Sequence, residues 1–248
     1  MEQKRKNVRS SRKRKRRIRW KIRMWLTRLI VLIMALMALF LLVWGGIHLW
    51  KMLKGEDESP VVGARIIETK EKREGVTLVV VDAGHGGKDQ GTCSGDILEK
   101  NINLSVAFLV AEKLEAKGAD VLLTRAEDEK IDLEERAAIA NRAEADLFVS
   151  IHCNYCEGDT SVRGLECYYR EGSEGGQALA ENLVASVQEE SKIVNRGTRT
   201  ADFRVLRKTD MPAILIEMGY LSNGEECDKL ADKDYQELLA ERIVEGIL

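Results

Sequence analysis

Histidine is scarce in this chain, and cysteine occurs in an odd number. Only three histidines occur among the 248 residues, so few imidazoles are available for a metal or acid–base site. The five cysteines cannot all pair within one chain, and they therefore define no disulfide framework. The Cys153-x-x-Cys156 motif suggests a redox or zinc site, but no second Cys pair accompanies it. We expect buried or weakly functional thiols.

Charged side chains are absent from residues 29–50, a run of 22 residues. At about 1.5 Å per residue, a helix of this length crosses a hydrocarbon core of about 30 Å. Residues 1–28 contain 14 lysines and arginines against one acid, whereas residues 51–248 contain 25 against 40. This pattern predicts a single-pass protein of the cell membrane, with a basic cytoplasmic tail (1–28), a transmembrane anchor (29–50) and an extracytoplasmic remainder.

A cleaved signal peptide is the competing interpretation of the N-terminal region. The apolar run exceeds the usual length of about 7–15 residues, and no Ala-x-Ala pattern follows it, so we favour an uncleaved anchor. The basic run Arg12–Arg17 could also be a nucleic-acid-binding arm. A basic cluster beside a membrane span is more simply a topology signal that contacts anionic lipid, so we expect no nucleic-acid partner.

Beyond the apolar run, the composition changes twice. Residues 51–75 are polar, show no sustained helical or strand period, and are predicted to form a tether. From residue 76 onward strand-like and helix-like segments alternate, which indicates an α/β domain with a mostly parallel central sheet. Almost continuously apolar strand segments are typical of a sheet with helices on both faces. We expect residues 76–248 to form one catalytic domain.

Five strands and four helices are predicted in this domain. The strands are Val76–Asp82, Asp120–Thr124, Asp146–His152, Gly164–Tyr169 and Ala213–Glu217. The helices are Asn101–Lys117, Leu133–Glu144, Gly175–Glu190 and Glu225–Ile247.

Three of the apolar runs each carry one chemically capable residue at or near the end. They supply His85, His152 and Glu217. Open parallel sheets bind ligands beyond the carboxyl ends of their strands, so these side chains should converge. Glu99, at the entry to a predicted helix, could be a helix cap or an oxygen ligand. Together His85, Glu99 and His152 form a donor set that suits a catalytic zinc ion with a fourth position left for water.

Two of these residues, His85 and Glu217, also have a structural interpretation. His85 could be an incidental residue of a glycine-rich turn. Glu217 lies within the apolar run AILIEMG, where a carboxylate is costly unless it is paired, bound to a metal or protonated. That cost makes Glu217 the best candidate for an acid/base group, and the alternative is a structural ion pair with Arg125 or Arg136.

These residues resemble the zinc-dependent N-acetylmuramoyl-L-alanine amidases of bacterial cell walls. The resemblance covers residues 76–248 and rests on seven motifs in the family's order, including VVVDAGHGGKDQGT, SIHCN and MPAILIEMGYLSN. It implies that His85, Glu99 and His152 bind Zn²⁺. It also implies that Glu217 is the acid/base residue in hydrolysis of the amide between N-acetylmuramic acid and L-alanine in peptidoglycan.

Several points stay open within this interpretation. Position alone predicts that Arg196 and Arg204, in the segment Asn195–Thr209, line a substrate groove. Alternative functions are a different zinc peptidase that cuts the stem peptide, a spore-cortex-type amidase that works with an accessory protein, and a non-catalytic wall-binding scaffold. A redox protein built on the Cys-x-x-Cys motif is disfavoured, because the motif ends a strand instead of opening a helix. No activating protein can be named from the sequence.

Overall fold

The structure, a computed structural model, describes residues 73–188, 190 and 192–248 and the single position Met34. The predicted basic tail, the rest of the predicted anchor and most of the predicted tether lie outside the described residues, and these assignments stay predictions. Within the described part of the chain, no helix has the length and apolar composition that crossing a membrane requires.

The described residues contain eight strands, six of which form the central sheet. The strands are β1 (Leu78–Ala83), β2 (Cys93–Ser94), β3 (Ile97–Leu98), β4 (Asp120–Leu123), β5 (Leu147–Asn154), β6 (Leu165–Tyr169), β7 (Asn195–Thr200) and β8 (Ala213–Tyr220). The central sheet has the order β4-β1-β5-β8-β6-β7, and β2 pairs with β3 separately. Within the central sheet only β6 and β8 pair antiparallel. The predicted mostly parallel sheet is therefore confirmed.

Six helices cover the two faces of this sheet in the described region. They are α1 (Glu99–Ala116), α2 (Leu133–Arg142), α3 (Glu174–Gln188), α4 (Arg204–Lys208), α5 (Gly224–Ala231) and α6 (Lys233–Ile247). One buried cluster includes residues from α1, α3, α5 and α6, and the other includes residues from α2 and α4. The prediction of helices on both faces is confirmed as well.

Strand β1 shows why the sheet requires two covers. Val79 and Val81 belong to the core that α1 covers, whereas Leu78 and Val80 belong to the core on the opposite face. Successive side chains of a strand point to opposite faces, so a strand that is apolar at every position must be covered on both faces. Burial of each such side chain is worth about 1.5–3 kcal/mol.

The C-terminal region differs from its prediction. Asp232 has an extended backbone (φ −80°, ψ 131°), and its side chain accepts a hydrogen bond from the amide of Tyr235. This N-cap begins α6 and ends α5, so the predicted helix Glu225–Ile247 is two helices. Strand β7 was not predicted, because its sequence NRGTRT has no alternation of apolar residues.

The topology brings three strand ends together. β1, β5 and β8 are parallel neighbours, so their carboxyl ends lie at one edge of the sheet. His85 follows β1, and His152 lies two residues before the end of β5. Glu217 lies in β8 and is the register partner of His152. These residues occupy the edge at which an open α/β sheet places its ligand site.

Candidate metal centre and active site

His85 lies in the glycine-rich turn that follows β1. Its φ of 61° falls in the left-handed region, which is uncommon for a residue other than glycine. The carbonyl oxygen of His85 accepts a hydrogen bond of 2.6 Å from Arg136 Nη2, and its Nδ1 lies 2.9 Å from Asp89 Oδ1. The imidazole is thereby oriented with Nε2 toward Glu99, 3.2 Å from Oε1.

Gly84 makes room for the second histidine. A Cβ atom added at Gly84 would overlap the imidazole ring of His152. The glycine-rich turn therefore has a steric role as well as a conformational one: its backbone passes directly against the His152 ring.

Glu99 is the first residue of α1, and only 1% of its surface is exposed. Its Oε2 accepts a hydrogen bond from the Thr92 amide, and its Oε1 accepts from Asn103 Nδ2 and the Cys153 amide. Burial by itself would raise the pKa of Glu99, but the hydrogen bonds and charges of the two neighbouring imidazoles outweigh it. The net pKa lies well below the usual range, so Glu99 is ionised.

His85, Glu99 and His152 form one cluster. Glu99 Oε1 lies 3.0 Å from His152 Nδ1, and the two imidazole centroids are 5.0 Å apart in an edge-to-face arrangement. One donor atom from each residue lies within 4.8 Å of the other two. Two imidazoles and an ionised, buried carboxylate are ligands that suit a divalent metal ion, so these three residues could hold one.

Glu217 lies on the neighbouring strand, in register with His152. Its Oε2 is buried and has no hydrogen-bond partner among the described residues. Burial raises the pKa of Glu217 to about 7; the His152 charge lowers it, and the charges of Glu99 and Glu166 raise it further. At neutral pH this carboxyl can therefore both accept and donate a proton.

The proposed structural ion pair of Glu217 is not present. Arg125 donates to the carbonyl oxygens of Ala83, Gly84, Lys100 and Glu127. Arg136 pairs instead with Asp82, with 2.7 Å between Nη1 and Oδ1. Both guanidinium groups hold the turn around His85 instead of neutralising Glu217.

A cavity of about 400 Å³ opens onto the histidine cluster. It is lined by His85, Asp89, Arg136, His152 and the segment from Lys130 to Glu134. Arg204, at the start of α4, forms an ion pair with Glu134, and both side chains are about half exposed. The structure thus places Arg204 beside the rim of the cavity.

Arg196 is paired with a buried acid and does not line this cavity. It is on β7, and its Nε donates a 2.6 Å hydrogen bond to Oε1 of Glu166 on β6. In the sheet order, β8 and β6 separate β7 from the strand that carries His152. The structure brings Arg196 together with Glu166, and not with Arg204 or the three candidate metal ligands.

Residues 79–248, more than half of the chain, match the family described as N-acetylmuramoyl-L-alanine amidase. The chain belongs to that amidase family. The resemblance inferred from the motifs is confirmed, and so is the prediction that the protein is an enzyme of this class.

Two curated proteins illustrate the similarity of this amidase to known sequences. The chain is 39% identical over 182 residues to the uncharacterised protein YqiI of Bacillus subtilis, covering 73% of this chain and 87% of the relative. It is 36% identical over 184 residues to the probable cell wall amidase LytH of Staphylococcus aureus, covering 72% of this chain. The aligned part spans only 60% of the length of LytH.

Solved structures of amidases have the same fold. N-acetylmuramoyl-L-alanine amidase AmiC2 of Nostoc punctiforme is 45% identical, with a TM-score of 0.66 over 69% of this chain and 94% of that one. The CwlD amidase of Clostridioides difficile, solved in complex with the GerS lipoprotein, is 31% identical, with a TM-score of 0.66 over 69% of this chain and 96% of that one.

Sequence reasoning missed several residues around the amidase site. Asp89 and Asn103 orient His85 and Glu99, and Arg136 was considered only as a partner for Glu217. The signal for Asn103 was its position four residues after Glu99 on one face of α1. Glu166 had a weaker signal, an acid in a strand-like segment whose next residue, Cys167, is apolar and buried.

Proposed function

We propose that this amidase hydrolyses the amide between the lactyl group of N-acetylmuramic acid and the L-alanine of the peptide stem in peptidoglycan. In this proposal His85, Glu99 and His152 hold one Zn²⁺ ion, and Glu217 is the acid/base residue. The observation that carries the proposal is the convergence of three metal-donor groups within 4.8 Å, beside a partnerless carboxyl oxygen on the adjacent strand.

The donor set favours zinc over calcium and magnesium. Two imidazoles and one carboxylate match the open coordination of catalytic zinc sites, whereas calcium and magnesium prefer sites built from oxygen alone. When bound, zinc would supply a Lewis acid that polarises the scissile carbonyl and makes a water molecule more acidic.

Glu217 would move the protons in this reaction. Its pKa of about 7 allows the carboxylate to accept a proton from the attacking water at neutral pH. The protonated carboxyl would then deliver that proton to the nitrogen of the leaving amine. Its lack of a competing partner among the described residues leaves Oε2 available for this transfer.

Arg204 and Arg196 would contact substrate on two sides of the site. Arg204 is about half exposed, and its partner Glu134 lines the cavity at the histidine cluster. The side chain of Arg196 is about a third exposed, and β7, which carries it, is three strands along the sheet from β5, which carries His152. A groove that connects the two arginines would pass over Glu217 and could hold glycan and stem peptide.

Residues 29–50 would anchor the amidase in the cell membrane. We propose a single span with residues 1–28 in the cytoplasm and the catalytic domain outside, where peptidoglycan lies. This arrangement follows from the uncharged run and from the basic residues before it. The anchor would keep the enzyme beside the wall.

An amidase that works with an accessory protein is a second candidate function. The observation that favours it is the similarity to CwlD, which was solved in complex with the GerS lipoprotein. A spore-cortex-type role of this kind would make activity depend on a second protein while the zinc site stays complete.

Digestion of purified peptidoglycan by the full-length protein in detergent tests the proposal. We expect released stem peptides that begin with L-alanine, identified by mass spectrometry. Fragments cut within the stem would instead assign a different zinc peptidase. Bound zinc without any release would favour an enzyme that requires an accessory protein, and a chain that binds no zinc would contradict the proposed site.

A further inference from the structure

A buried carboxylate next to the catalytic strand carries two arginines. Glu166 on β6 is 2% exposed. It accepts hydrogen bonds of 2.6 Å from Arg196 Nε and from the Tyr168 hydroxyl, and it lies 3.1 Å from Nη2 of Arg199. Arg196 and Arg199 both belong to β7. Arg196, Arg199 and Tyr168, on the neighbouring strands β7 and β6, thus converge on the single carboxylate of Glu166.

The charges in this cluster do not cancel. Two guanidinium groups face one carboxylate, and no other acid in the described part of the chain is paired with either arginine. The side chains of Arg196 and Arg199 remain 33% and 48% exposed. One net positive charge and several N–H donors are therefore left facing solvent.

Arg196 is held in place from two directions. Glu166 fixes its Nε, and its guanidinium carbon lies 5.5 Å from the centroid of the Tyr220 ring. A guanidinium that is oriented in this way loses little conformational freedom when it binds an anion. The arrangement is that of a prepared donor group, not of a freely moving surface arginine.

The sheet register places the cluster beside the proposed catalytic residue. Glu217 pairs with His152 on one side and with Glu166 on the other. Paired residues point to the same face of a sheet, so His152, Glu217 and Glu166 form a row across β5, β8 and β6. Arg196 and Arg199 reach Glu166 from the next strand and extend this row on the side away from the metal cluster.

We infer that Arg196 and Arg199, oriented by Glu166, bind a carboxylate of the stem peptide past the scissile amide. This inference rests on the proposed function. Adjacent strands lie about 4.8 Å apart, so the guanidinium groups at Glu166 lie about 10 Å from His152. An extended peptide spans about 3.3 Å per residue, which places the recognised carboxylate two or three residues from the cleaved bond.

Paired guanidinium groups suit this ligand. Their N–H donors form parallel hydrogen bonds with the two oxygens of a carboxylate, and such charge-assisted bonds are stronger than neutral ones. A peptide stem offers a carboxylate on an acidic residue or at its C-terminus. Glycan hydroxyls lack the charge that the unbalanced arginines would neutralise.

Steady-state kinetics on soluble muramoyl tripeptides test the inference. Three substrates are compared: one with both carboxylates free, one with the internal carboxylate amidated and one with the C-terminal carboxylate amidated. For full-length wild-type protein, amidation of the recognised carboxylate should raise KM about tenfold or more. The kcat should change by less than about twofold, because the contact is made equally in ground and transition states.

Arg196→Gln should remove this discrimination by raising KM for the free acid alone. Arg199→Gln should reduce it, and Arg196→Lys, which keeps the charge but not the two-donor fork, should lie between wild type and Arg196→Gln. Arg242→Gln is the matched control: Arg242 is also paired with a carboxylate, that of Glu245, but it belongs to α6 on the other side of the sheet. It should behave as wild type.

The substrate whose amidation changes KM identifies the source of the carboxylate. Equal KM values for all three substrates with wild-type protein would overturn the inference while the amidase function stands. Undiminished discrimination by folded Arg196→Gln and Arg199→Gln would also overturn it. Failure of wild-type protein to cleave any of the substrates or intact peptidoglycan would overturn both this inference and the proposed function.

Discussion

Arg136 Nη2 donates a 2.6 Å hydrogen bond to the carbonyl oxygen of His85, whose φ is 61°. A left-handed backbone at a residue other than glycine persists only where surrounding contacts fix it. Arg136 supplies such a contact, and its Nη1 also donates to the carbonyl oxygen of Ala83 and to the buried carboxylate of Asp82. One side chain thus links the core of the sheet to the turn that orients a candidate metal ligand.

The first prediction concerns this link. Arg136→Lys keeps a positive charge near Asp82 but cannot reach both carbonyl oxygens, so His85 should lose its orientation. Zinc affinity should fall about 10–100-fold, as is typical when a group that orients a ligand is replaced. Competition with a chromophoric chelator measures the affinity. Arg142→Lys, on the same helix and paired with exposed Glu135, should change nothing; an unchanged affinity of Arg136→Lys would refute the positioning role.

The second prediction concerns the contact between Gly84 and His152. Gly84→Ala would place a methyl group within the His152 ring, so that either the turn or the imidazole must move. Zinc affinity should fall at least about tenfold, since a metal site tolerates little displacement of its ligands. Gly224→Ala is the matched control, because its added methyl group meets no atom within 4 Å. Equal zinc affinity in both variants would show that the close packing has no role in the metal site.

The third prediction is an acid-dependent loss of stability that depends on Asp82. Burial opposes ionisation of this carboxyl, but Arg136, Thr124 and Ser150 outweigh burial and lower its pKa from the ordinary value of 3.8. Because the unfolded chain then binds protons more readily than the folded one, the stabilisation is complete above about pH 4 and is lost as the pH falls below that. Asp82→Asn should be less stable at pH 7 by about 3–5 kcal/mol, since Arg136 loses its charge partner.

Denaturant unfolding of the metal-free protein between about pH 2.5 and 7 checks this prediction. Removal of metal with a chelator keeps acid-induced release of the metal from contributing, and the comparison with Asp82→Asn isolates the part that depends on Asp82. Asp82→Asn should show a shallower acid limb than wild type, whereas Asp96→Asn, at an exposed loop position, should retain the wild-type curve. Parallel curves for wild type and Asp82→Asn would be inconsistent with a lowered pKa at Asp82.

The fourth prediction concerns the pH dependence of catalysis. Burial raises the pKa of Glu217 to about 7, and only the ionised carboxylate can accept a proton from water. Below the pKa, kcat/KM should fall about tenfold per pH unit; a bound cation favours the ionised form, so the inflection should lie at or below about 7. Glu217→Gln should abolish this acid-side fall in kcat/KM along with most of the activity. A wild-type profile that is flat from about pH 5 to 8 would argue against Glu217 as the base.

Much of this architecture could be predicted from local pattern. Almost continuously apolar strands require two covering layers, and a histidine or glutamate at the end of such a strand is costly without a function. These arguments predict that His85, His152 and Glu217 lie at one edge of the sheet. Successive side chains of a strand point to opposite faces, and Cys153, the neighbour of His152, lies in the core beneath α1.

The remainder depends on contacts that no local pattern encodes. Glu166 acquires its neighbours because β6 reverses direction beside β8 and then pairs with polar β7, and neither event has a sequence signal. Arg136 is separated from Asp82 by 54 residues, so its choice of partner depends on how α2 packs on the sheet. The break at Asp232 depends on a side-chain cap within an otherwise helical pattern.

Zinc content and peptide release, measured on the same protein samples, test the central claim most directly. Wild-type protein and Glu217→Gln should each hold one zinc ion per chain, and His152→Ala should hold none. Only wild-type protein should release stem peptides that begin with L-alanine from purified peptidoglycan, and Glu217→Gln should be slower by about 10²–10⁴-fold. Release by Glu217→Gln at the wild-type rate, or full zinc retention by His152→Ala, would contradict the assignment of these residues.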